Sequence, residues 1–362
     1  MKRILTIVTI AAAVGFGSGK ATADAPALQA LSGPAKQEME KTIAAAAREG
    51  RVDYTEVVMA AETAQALTVA FRKHYGLDSS FVVNYTHAGT TAAVTRIDQE
   101  IAAKRVRTDV ASISVPTWVF AHAKAGNIME YHSPEYKFYR RAFELKLGKE
   151  GFFMMNGGYF FVPVWDTTRL NFNGKSWKDV VGAVPNGRLA VGNAETSLSV
   201  LATYVGVRNL VGVEFFKSLA GMKPAIVSQG ELAHDRVVTG QDLMSLWGQA
   251  THVKLRNSRG AQLKLMIPEE GLVLLPQLSF ILAGAPHPNA AKLWLDFMLS
   301  KEGQAIIVDR EALVSGREGA GTALAGYNLT LDGVKAVPMN WDKLSEDDLK
   351  RAREEWVGIF KK

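Results

Sequence analysis

The chain has 362 residues, 48% of them hydrophobic and 22% charged, with a formal net charge of +6 and no cysteine. This composition is typical of a globular protein, so a disordered chain, a collagen-like rod and a polytopic membrane protein are all disfavoured. The lack of cysteine excludes disulfide scaffolds, thiolate nucleophiles and cysteine-ligated metal sites. Because single hydrophobic cores stop growing beyond roughly 250–300 residues, we expect two lobes.

The N-terminus has the pattern of a secretory signal peptide. Lys2 and Arg3 give a positive start, residues 4–16 are an apolar stretch too short to span a membrane, and residues 21–23 provide a small-residue cleavage pattern. We therefore predict that residues 1–23 are cleaved and that the mature chain is exported. The formal net charge would fall to +3, because three basic residues and no acidic one leave with the peptide. The remaining charges are interspersed, so no nucleic-acid partner is expected.

After a leader-proximal helix, the first part of the chain alternates strands and helices. Helices are predicted where apolar residues recur every three or four positions, as at Ala64, Leu67 and Phe71, and strands where β-branched residues run together. In chain order these are a helix over 35–48, a strand over 52–59, a helix over 64–75, a strand over 81–83, a helix over 90–104 and a strand over 108–113. This alternation is typical of a doubly wound parallel sheet.

A second α/β unit is inserted after the first. Its predicted strands cover 159–164, 188–191, 226–227, 261–267 and 272–275, and its helices cover 177–181, 198–204 and 214–220. Helices over 288–299 and 345–360 complete the chain. The chain therefore leaves the first unit, builds the second and returns.

We predict a two-lobed α/β fold in which each lobe is a sheet flanked by helices and a ligand cleft lies between the lobes. Lobe 1 comprises residues 24–160 with a return segment over 272–310, and lobe 2 comprises 161–271. Residues 311–362 form a C-terminal helical tail that packs on a lobe. Ligands of open α/β sheets bind beyond the carboxyl ends of the strands, so candidate residues are sought in the loops after strands.

Several segments of the chain carry a family resemblance. They are residues 45–60 (AAAREGRVDYTEVVMA), 68–76 (TVAFRKHYG), 108–116 (TDVASISVP), 126–135 (GNIMEYHSPE), 176–189 (SWKDVVGAVPNGRL) and 287–304 (HPNAAKLWLDFMLSKEGQ). Together they resemble the extracellular solute-binding proteins of ABC importers, in the branch that binds ferric iron, spermidine or sugar phosphates. The resemblance implies a two-lobed periplasmic binding protein that closes on a small-molecule ligand and delivers it to an ABC transporter permease in the inner membrane. It implies no catalytic residues, no metal and no cofactor, and we expect a monomer.

The resemblance is weaker for the identity of the ligand. Iron-binding members carry adjacent tyrosines shortly before a Pro-Glu-Glu-Gly turn, which this chain has at 268–271. Ala250 and Thr251 stand where those phenolates would be. Because Fe(III) is a hard cation that needs anionic oxygen ligands, ferric iron is disfavoured. Gln249, beside the missing tyrosines, is a candidate hydrogen-bonding residue.

Three loops at predicted strand ends and helix starts are rich in serine and threonine. Helix N-termini carry partial positive charge and unpaired N–H groups, so such loops are typical anion sites. Each hydroxyl also has an ordinary alternative role, as a helix cap or as a turn former. The candidate ligand-binding residues in these loops are Thr90, Thr91, Ser112, Ser114, Thr196 and Ser197.

Other polar and aromatic residues have open alternatives. Glu62, after the first strand, either binds a ligand or complements the dipole of the helix that it begins. His87 either donates to an anion or is satisfied by neighbouring backbone. Three tryptophans either stack on a ligand ring or belong to the core, and they are Trp118, Trp165 and Trp247.

The sequence patterns favour binding without catalysis. The chain has no G-x-S-x-G, H-E-x-x-H or G-x-x-x-x-G-K-[ST] motif. The preferred ligand is an organic anion such as a phosphate ester, phosphonate or carboxylate, because the hydroxyl-rich helix starts converge on one cleft. The alternatives are a polyamine or thiamine-like cation held by Glu62, Glu195, Glu231 and the tryptophans, ferric iron, a ligand-sensing subunit of a membrane sensor kinase, or a secreted enzyme.

Overall fold

The computed structural model describes residues 25–228, 230–321 and 324–361, so the predicted signal peptide lies outside the described residues. The strands are β1 (Arg51–Glu56), β2 (Val82–His87), β3 (Val110–Ile113), β4 (Gly148–Lys149), β5 (Phe153–Tyr159), β6 (Val162–Asp166), β7 (Leu189–Gly192), β8 (Ala225–Val227), β9 (Met244–Gly248), β10 (Leu263–Leu265) and β11 (Leu275–Ile281). The helices are α1 (Pro26–Gln29), α2 (Gly33–Glu49), α3 (Ala61–Tyr75), α4 (Thr90–Ala102), α5 (Pro116–Lys124), α6 (Arg140–Glu144), α7 (Leu198–Val211), α8 (Val213–Gly221), α9 (Gly230–Val238), α10 (Ala250–Asn257), α11 (Pro288–Leu299), α12 (Lys301–Glu311) and α13 (Glu346–Phe360). Short 3₁₀ helices lie at Pro134–Phe138 and Trp177–Val180.

The strands form two sheets. The first has the order β2-β1-β3-β11-β5-β4 and defines lobe 1, and the second has the order β10-β6-β9-β7-β8 and defines lobe 2. β1 is parallel to β2 and β3, and β7 is parallel to β8 and β9, as strands joined through helices are. The predicted α/β class is therefore confirmed.

Neither sheet is wholly parallel, which corrects the expectation of a doubly wound parallel sheet. β11 is antiparallel to β3 and β5 in lobe 1, and β6 is antiparallel to β9 and β10 in lobe 2. Both are the first strands that the chain forms after it passes from one lobe to the other. A chain that enters a sheet at its carboxyl edge must run opposite to the strands that end there.

The predicted strand over 159–164 is divided between the lobes. β5 ends at Tyr159 and β6 begins at Val162, with the buried Phe160 and Phe161 between them. The sequence patterns also predict neither α9 nor β9 and place only the first residue of β11. The polar Gln277 in the middle of β11 is fully buried and donates to Glu56, which is far away in the sequence. A buried polar residue interrupts the apolar pattern of a strand, so the sequence patterns do not reveal β11.

Each lobe is packed around aromatic side chains. In lobe 1, Phe71 on α3 lies edge-on to Trp294 and Phe297 of α11, with ring centroids 5.1 and 5.8 Å apart. In lobe 2, Trp177 and Trp247 are buried with their ring centroids 5.8 Å apart. Such rings remove large apolar areas from water, which explains why amphipathic helices such as α3 turn their apolar face inward.

The C-terminal segment touches both lobes. α12 packs on α3 of lobe 1, Val314 pairs with Gly158 beside the crossover, and α13 packs on α7 and α8 of lobe 2. Glu355 on α13 accepts hydrogen bonds from Arg208 at 3.1 Å and from Tyr204. The helical tail therefore ends on lobe 2.

Helix α7 is buried along most of its length, over residues 200–207. Among the described residues no single helix is long and apolar enough to cross a membrane, and α7 with α8 meets that criterion only as a pair bent by 111°. A Cβ added at Gly206 would lie 2.2 Å from Cγ2 of Val273 and 3.0 Å from Sδ of Met339. Glycine at this position permits the close approach of α7 to the segment that returns to lobe 1.

We expect Gly206→Ala to lower the free energy of unfolding by about 1–3 kcal/mol, because the added methyl group overlaps the stiff, β-branched Val273. Gly221→Ala is the matched control, since Gly221 also lies in a helix and nothing is within 4 Å of its Cβ position. The control should leave stability unchanged or raise it by up to about 1 kcal/mol. Urea denaturation measures both, and equal stabilities of the two variants would contradict the tight packing of α7.

Candidate functional site: a cleft between the two sheets

The connections between the lobes place the carboxyl edges of the two sheets opposite each other. β5 runs in the same direction as β3, so it leaves lobe 1 at the carboxyl edge. β6 then enters lobe 2 with Val162 opposite Gly248, the last residue of β9. The return connection runs from Leu265 to Leu275 between the same two edges. The loops after β1, β2 and β3 therefore face those after β7, β8 and β9 across a cleft.

Four helices that begin at this cleft have no side-chain cap among the described residues. The N-cap residues of α3, α4, α5 and α10 are Ala60, Gly89, Val115 and Gln249. Ser197 caps α7, which also begins at the cleft, and Ser300 caps α12, which begins away from it. The first-turn N–H groups of the four uncapped helices thus carry the partial positive charge of the helix dipole without a side-chain acceptor.

Glu56, the last residue of β1, is fully buried under the lobe 1 edge of the cleft. Its carboxylate accepts N–H bonds from the backbone of residues 57–59 at 2.7 to 3.1 Å, and it also bonds the Tyr54 hydroxyl and the Gln277 amide. Burial raises the pKa of Glu56 to about 7, and the hydrogen bonds from Tyr54 and the backbone oppose that rise. This carboxylate fixes the loop after β1, so its oxygens are already occupied.

The predicted residues Ser112 and Ser114 have different surroundings. Ser112 is fully buried, and its hydroxyl lies 2.9 Å from that of Tyr54 and 2.6 Å from that of Ser279. Ser114 is half-buried beyond the end of β3, near the hydroxyl of Tyr159. Ser112 therefore belongs to a polar row inside lobe 1, while Ser114 lies at the cleft edge. A ligand contact by either residue stays a prediction.

Four predicted residues lie at the starts of helices or ends of strands on lobe 1. Glu62 is exposed in the first turn of α3. His87 is exposed at the end of β2, with Nδ1 3.3 Å from the Tyr85 hydroxyl. Thr90 and Thr91 are the first residues of α4, half-buried and exposed respectively, and Thr90 is not its N-cap. All four lie along the carboxyl edge of the sheet, and their ligand contacts stay predictions.

The remaining predicted residues lie on lobe 2. Thr196 is exposed, and Ser197 caps α7 by accepting the Val200 N–H at a long 3.4 Å. Gln249 is half-buried at the start of α10, and its backbone N–H donates to Nε2 of His234 at 3.2 Å. The structure thus divides the candidate residues between two facing edges, as a clamp requires. Their role in binding stays a prediction.

Among the described residues, the side-chain contacts that join the lobes include two sets of hydrogen bonds, and the sequence patterns indicate neither. Glu311, at the end of α12, accepts the Ala60 N–H through its carboxylate at 3.0 Å and the Thr251 hydroxyl through its carbonyl at 2.5 Å. The Tyr159 hydroxyl lies 3.0 Å from that of Ser199 on α7. No local pattern marks Glu311, because Ala60 is 251 positions away in the sequence.

The polar groups near these contacts are poorly suited to ferric iron. The hydroxyl of Thr251 is engaged by the carbonyl of Glu311. The Tyr85 hydroxyl donates to the Met59 carbonyl, and burial, with nearby carboxylates, raises the pKa of Tyr85. A phenol that stays neutral is a weak ligand for a hard cation that prefers anionic oxygen.

The residues predicted for a cationic ligand are not gathered in one place. Trp165 and Trp247 are 6% and 2% exposed in the core of lobe 2, whereas Trp118 is half-buried on α5. Glu195 forms an ion pair with a C-terminal lysine. The side chain of Glu231 lies outside the described residues.

A cluster of potential metal ligands lies at the opposite edge of the lobe 1 sheet. Asp53, Asp109 and His287 place ligand atoms within 4.8 Å of one another. The buried Asp109 already accepts the backbone N–H groups of Asp53 and His287, each at 2.7 Å, and lies 2.8 Å from Nδ1 of His287. These bonds tie β1, β3 and the start of α11 together, which gives the cluster a structural role away from the cleft.

Comparison with known proteins agrees with this architecture. The family described as bacterial extracellular solute-binding protein matches residues 109–347. Iron-bound HitA from Pseudomonas aeruginosa has a TM-score of 0.68 at 19% identity, over 85% of this chain and 99% of that one. AfuA from Actinobacillus pleuropneumoniae, with exogenous fructose-6-phosphate bound, has a TM-score of 0.68 at 19% identity, over 86% and 99%.

A third solved structure extends the same likeness. The substrate-binding protein of an ABC transporter from Agrobacterium tumefaciens has a TM-score of 0.70 at 16% identity, over 86% of this chain and 94% of that one. No curated protein matches the chain. At these identities the solved structures establish the fold alone, and the predicted two-lobed fold is confirmed.

We expect Glu56 to make stability fall as pH rises. Its pKa is about 7 in the folded protein against an ordinary value of 4.5, so the folded state holds the proton more tightly. The resulting stabilisation is present below about pH 4.5 and is lost as pH rises to about 7. The free energy of unfolding of the wild type should therefore fall relative to that of Glu56→Gln over this range, by up to about 3 kcal/mol.

Urea denaturation at several pH values across this range measures the difference. Burial also raises the pKa of Asp296 to about 7, but Asp296 is present in both proteins, so the difference between the two curves isolates Glu56. Parallel stability curves for the wild type and Glu56→Gln would contradict the shifted pKa.

Proposed function

This chain belongs to the bacterial extracellular solute-binding proteins, and we propose that it is the periplasmic binding protein of an ABC importer. Members of this family bind solutes and are not enzymes, so no catalytic residue is assigned. In this proposal the exported, monomeric chain captures a small polar solute in the cleft and delivers it to a permease in the inner membrane. The signal-peptide pattern accounts for export, and the two-lobed fold for capture.

Capture proceeds by hinge closure of the two lobes. The lobes are joined by the short crossover at residues 160–161 and by the return segment over 266–274. The Tyr159–Ser199 and Thr251–Glu311 hydrogen bonds cross the cleft and can be exchanged as the lobes move. Closure around a ligand removes water from its polar groups, and it presents a distinct shape to the permease.

The preferred solute is an organic anion such as a phosphate ester, phosphonate or carboxylate. One observation carries this preference: α3, α4, α5 and α10 begin at the cleft without side-chain caps. Unpaired first-turn N–H groups are ready donors to phosphate or carboxylate oxygens. The hydroxyls of Thr90, Thr91, Thr196 and Ser197 stand at helix starts on both lobes and add further donors.

A cationic solute such as a polyamine is the second candidate. Glu56, Glu62 and Glu311 all act on the pKa of Tyr85, so the lobe 1 edge is rich in carboxylates. Glu56 and Glu311 are already bonded to backbone N–H groups, however. Glu62 is the exposed member of the three, and a single exposed carboxylate favours a cation less than the uncapped helices favour an anion.

The solved structures support the anion preference in part. AfuA carries fructose-6-phosphate, which is a phosphate ester. HitA carries iron, but Ala250 and Thr251 supply no phenolate at the start of α10. A phosphate or carboxylate ligand therefore fits the donors of this chain better than Fe(III) does.

A thermal-shift screen of the refolded mature protein tests the proposal. The panel holds sugar phosphates, phosphonates, dicarboxylates, polyamines, thiamine and ferric citrate. A ligand at a hundred times its dissociation constant stabilises the folded state by about 2.7 kcal/mol, which raises the melting temperature by several degrees. We expect the shift with an anion class. A shift with polyamines or ferric citrate alone would contradict the anion preference, and no shift with any member would contradict solute binding of this kind.

We expect Ser197→Ala to weaken binding of the anion found in that screen about tenfold, because one hydroxyl donor at the cleft is lost. Ser300→Ala is the matched control, since Ser300 caps α12 in the same way at a distance from the cleft. Both changes should cost about 1 kcal/mol of stability through the lost cap. Calorimetric titration separates the two effects, and equal affinities of the two variants would remove Ser197 from the site.

A further inference from the structure

A cavity of about 680 Å³ lies between the two lobes and the C-terminal helix. Its walls come from the start of α5 in lobe 1, the start of α7 in lobe 2 and one face of α13. This volume is within the range of small-molecule pockets in proteins, about 300–1,000 Å³. Most of the lining side chains are apolar, among them Trp118, Leu198, Ala202, Leu275, Trp341 and Leu349.

Four charged side chains also line the cavity: Glu346, Asp347 and Lys350 are exposed, and Arg353 is the one that is half-buried. It lies on α13, one turn after Leu349, and its guanidinium group has no hydrogen bond or ion pair with any residue that the structure describes. Its Nε atom is buried without a partner. The Nε1 atom of Trp341, a residue 3% exposed in the same wall, is also buried without a partner among the described residues.

Other arginines with little exposure are paired. Arg317 bonds Glu135, Arg236 bonds Asp242, and Arg208 bonds Glu355. The buried Nε–H group of Arg353 has lost water without gaining an acceptor, which destabilises the fold. The acidic side chains of the cavity, Glu346 and Asp347, are exposed in the first turn of α13 and do not pair with Arg353.

We propose that this cavity binds an organic anion with an apolar or aromatic body, and that Arg353 is the counter-charge that recognises it. The inference rests on the proposed function and narrows the solute class. The carboxylate or phosphate of the ligand pairs with the guanidinium group, and its body lies against the indole and aliphatic walls. Because the walls come from both lobes, a ligand there is in contact with both and favours the closed arrangement.

Binding of benzoate and phenyl phosphate to the mature protein tests the inference. Tryptophan fluorescence reports on the cavity through Trp118 and Trp341, and calorimetric titration gives the affinity. Benzamide replaces the carboxylate by a neutral amide of similar shape, and inorganic phosphate lacks the apolar body. We expect both aromatic anions to bind, and benzamide and inorganic phosphate to bind at least tenfold more weakly.

Arg353→Gln should weaken binding of the aromatic anions at least tenfold, or about 1.4 kcal/mol. Arg351→Gln is the matched control on the same helix, since its side chain is 68% exposed and paired with Asp348. The control should bind as the wild type does. Without ligand, Arg353→Gln should melt at the same temperature as the wild type or higher, because it removes an unpaired charge.

Three results would overturn the inference: no binding of either aromatic anion, equal affinity for benzoate and benzamide, or equal affinity of the two arginine variants. These results are distinct from a failure of the proposed function. If an anion from the solute panel binds, and Ser197→Ala weakens its binding while Arg353→Gln does not, the binding-protein proposal is supported and the proposed role of Arg353 and the cavity is wrong.

Discussion

The lobes are joined at the carboxyl edges of their sheets, and the organisation of the cleft depends on that connection. The chain leaves lobe 1 after β5 and, with two residues between, enters lobe 2 next to the end of β9. Because parallel strands end at a common edge, this one junction brings the loops after six strands to face each other. Because the chain enters each sheet at its carboxyl edge, β6 and, on the return, β11 are antiparallel to their neighbours.

The same junction places backbone N–H groups of several helix starts at the cleft between the two lobes. Helices that follow the parallel strands begin at the cleft, and four of them have no side-chain acceptor for their first-turn N–H groups. Side-chain caps do not follow the same division, because Ser197 caps α7 at the cleft and α8 begins elsewhere without a cap. Topology therefore decides where these first-turn donors lie, and local sequence decides which of them are capped. A ligand with anionic oxygen atoms would accept hydrogen bonds from these N–H groups.

Buried polar side chains keep the cleft edges in place. Glu56 holds the backbone of residues 57–59, and Glu311 holds Ala60 and Thr251 from the other end of the chain. The oxygens of Glu56 and Glu311 already accept these hydrogen bonds, so the two residues position the loops. The exposed hydroxyls and N–H groups of those loops are left for a ligand. Arg353 differs from them because its buried Nε atom, beside the cavity, has no hydrogen-bond partner among the described residues.

The sequence by itself determined what depends on short-range spacing. The helical repeat places α11 and α13 where the structure has them, and linear segments such as 287–304 indicate the family. Helix starts at Thr90 and Ser197 follow from local polar residues before apolar runs. Tertiary structure alone decided the break at residues 160–161, the antiparallel β11 and the bonds of Glu311. Those features depend on contacts between residues far apart in the chain, which hydrophobic periodicity cannot encode because it records only near neighbours.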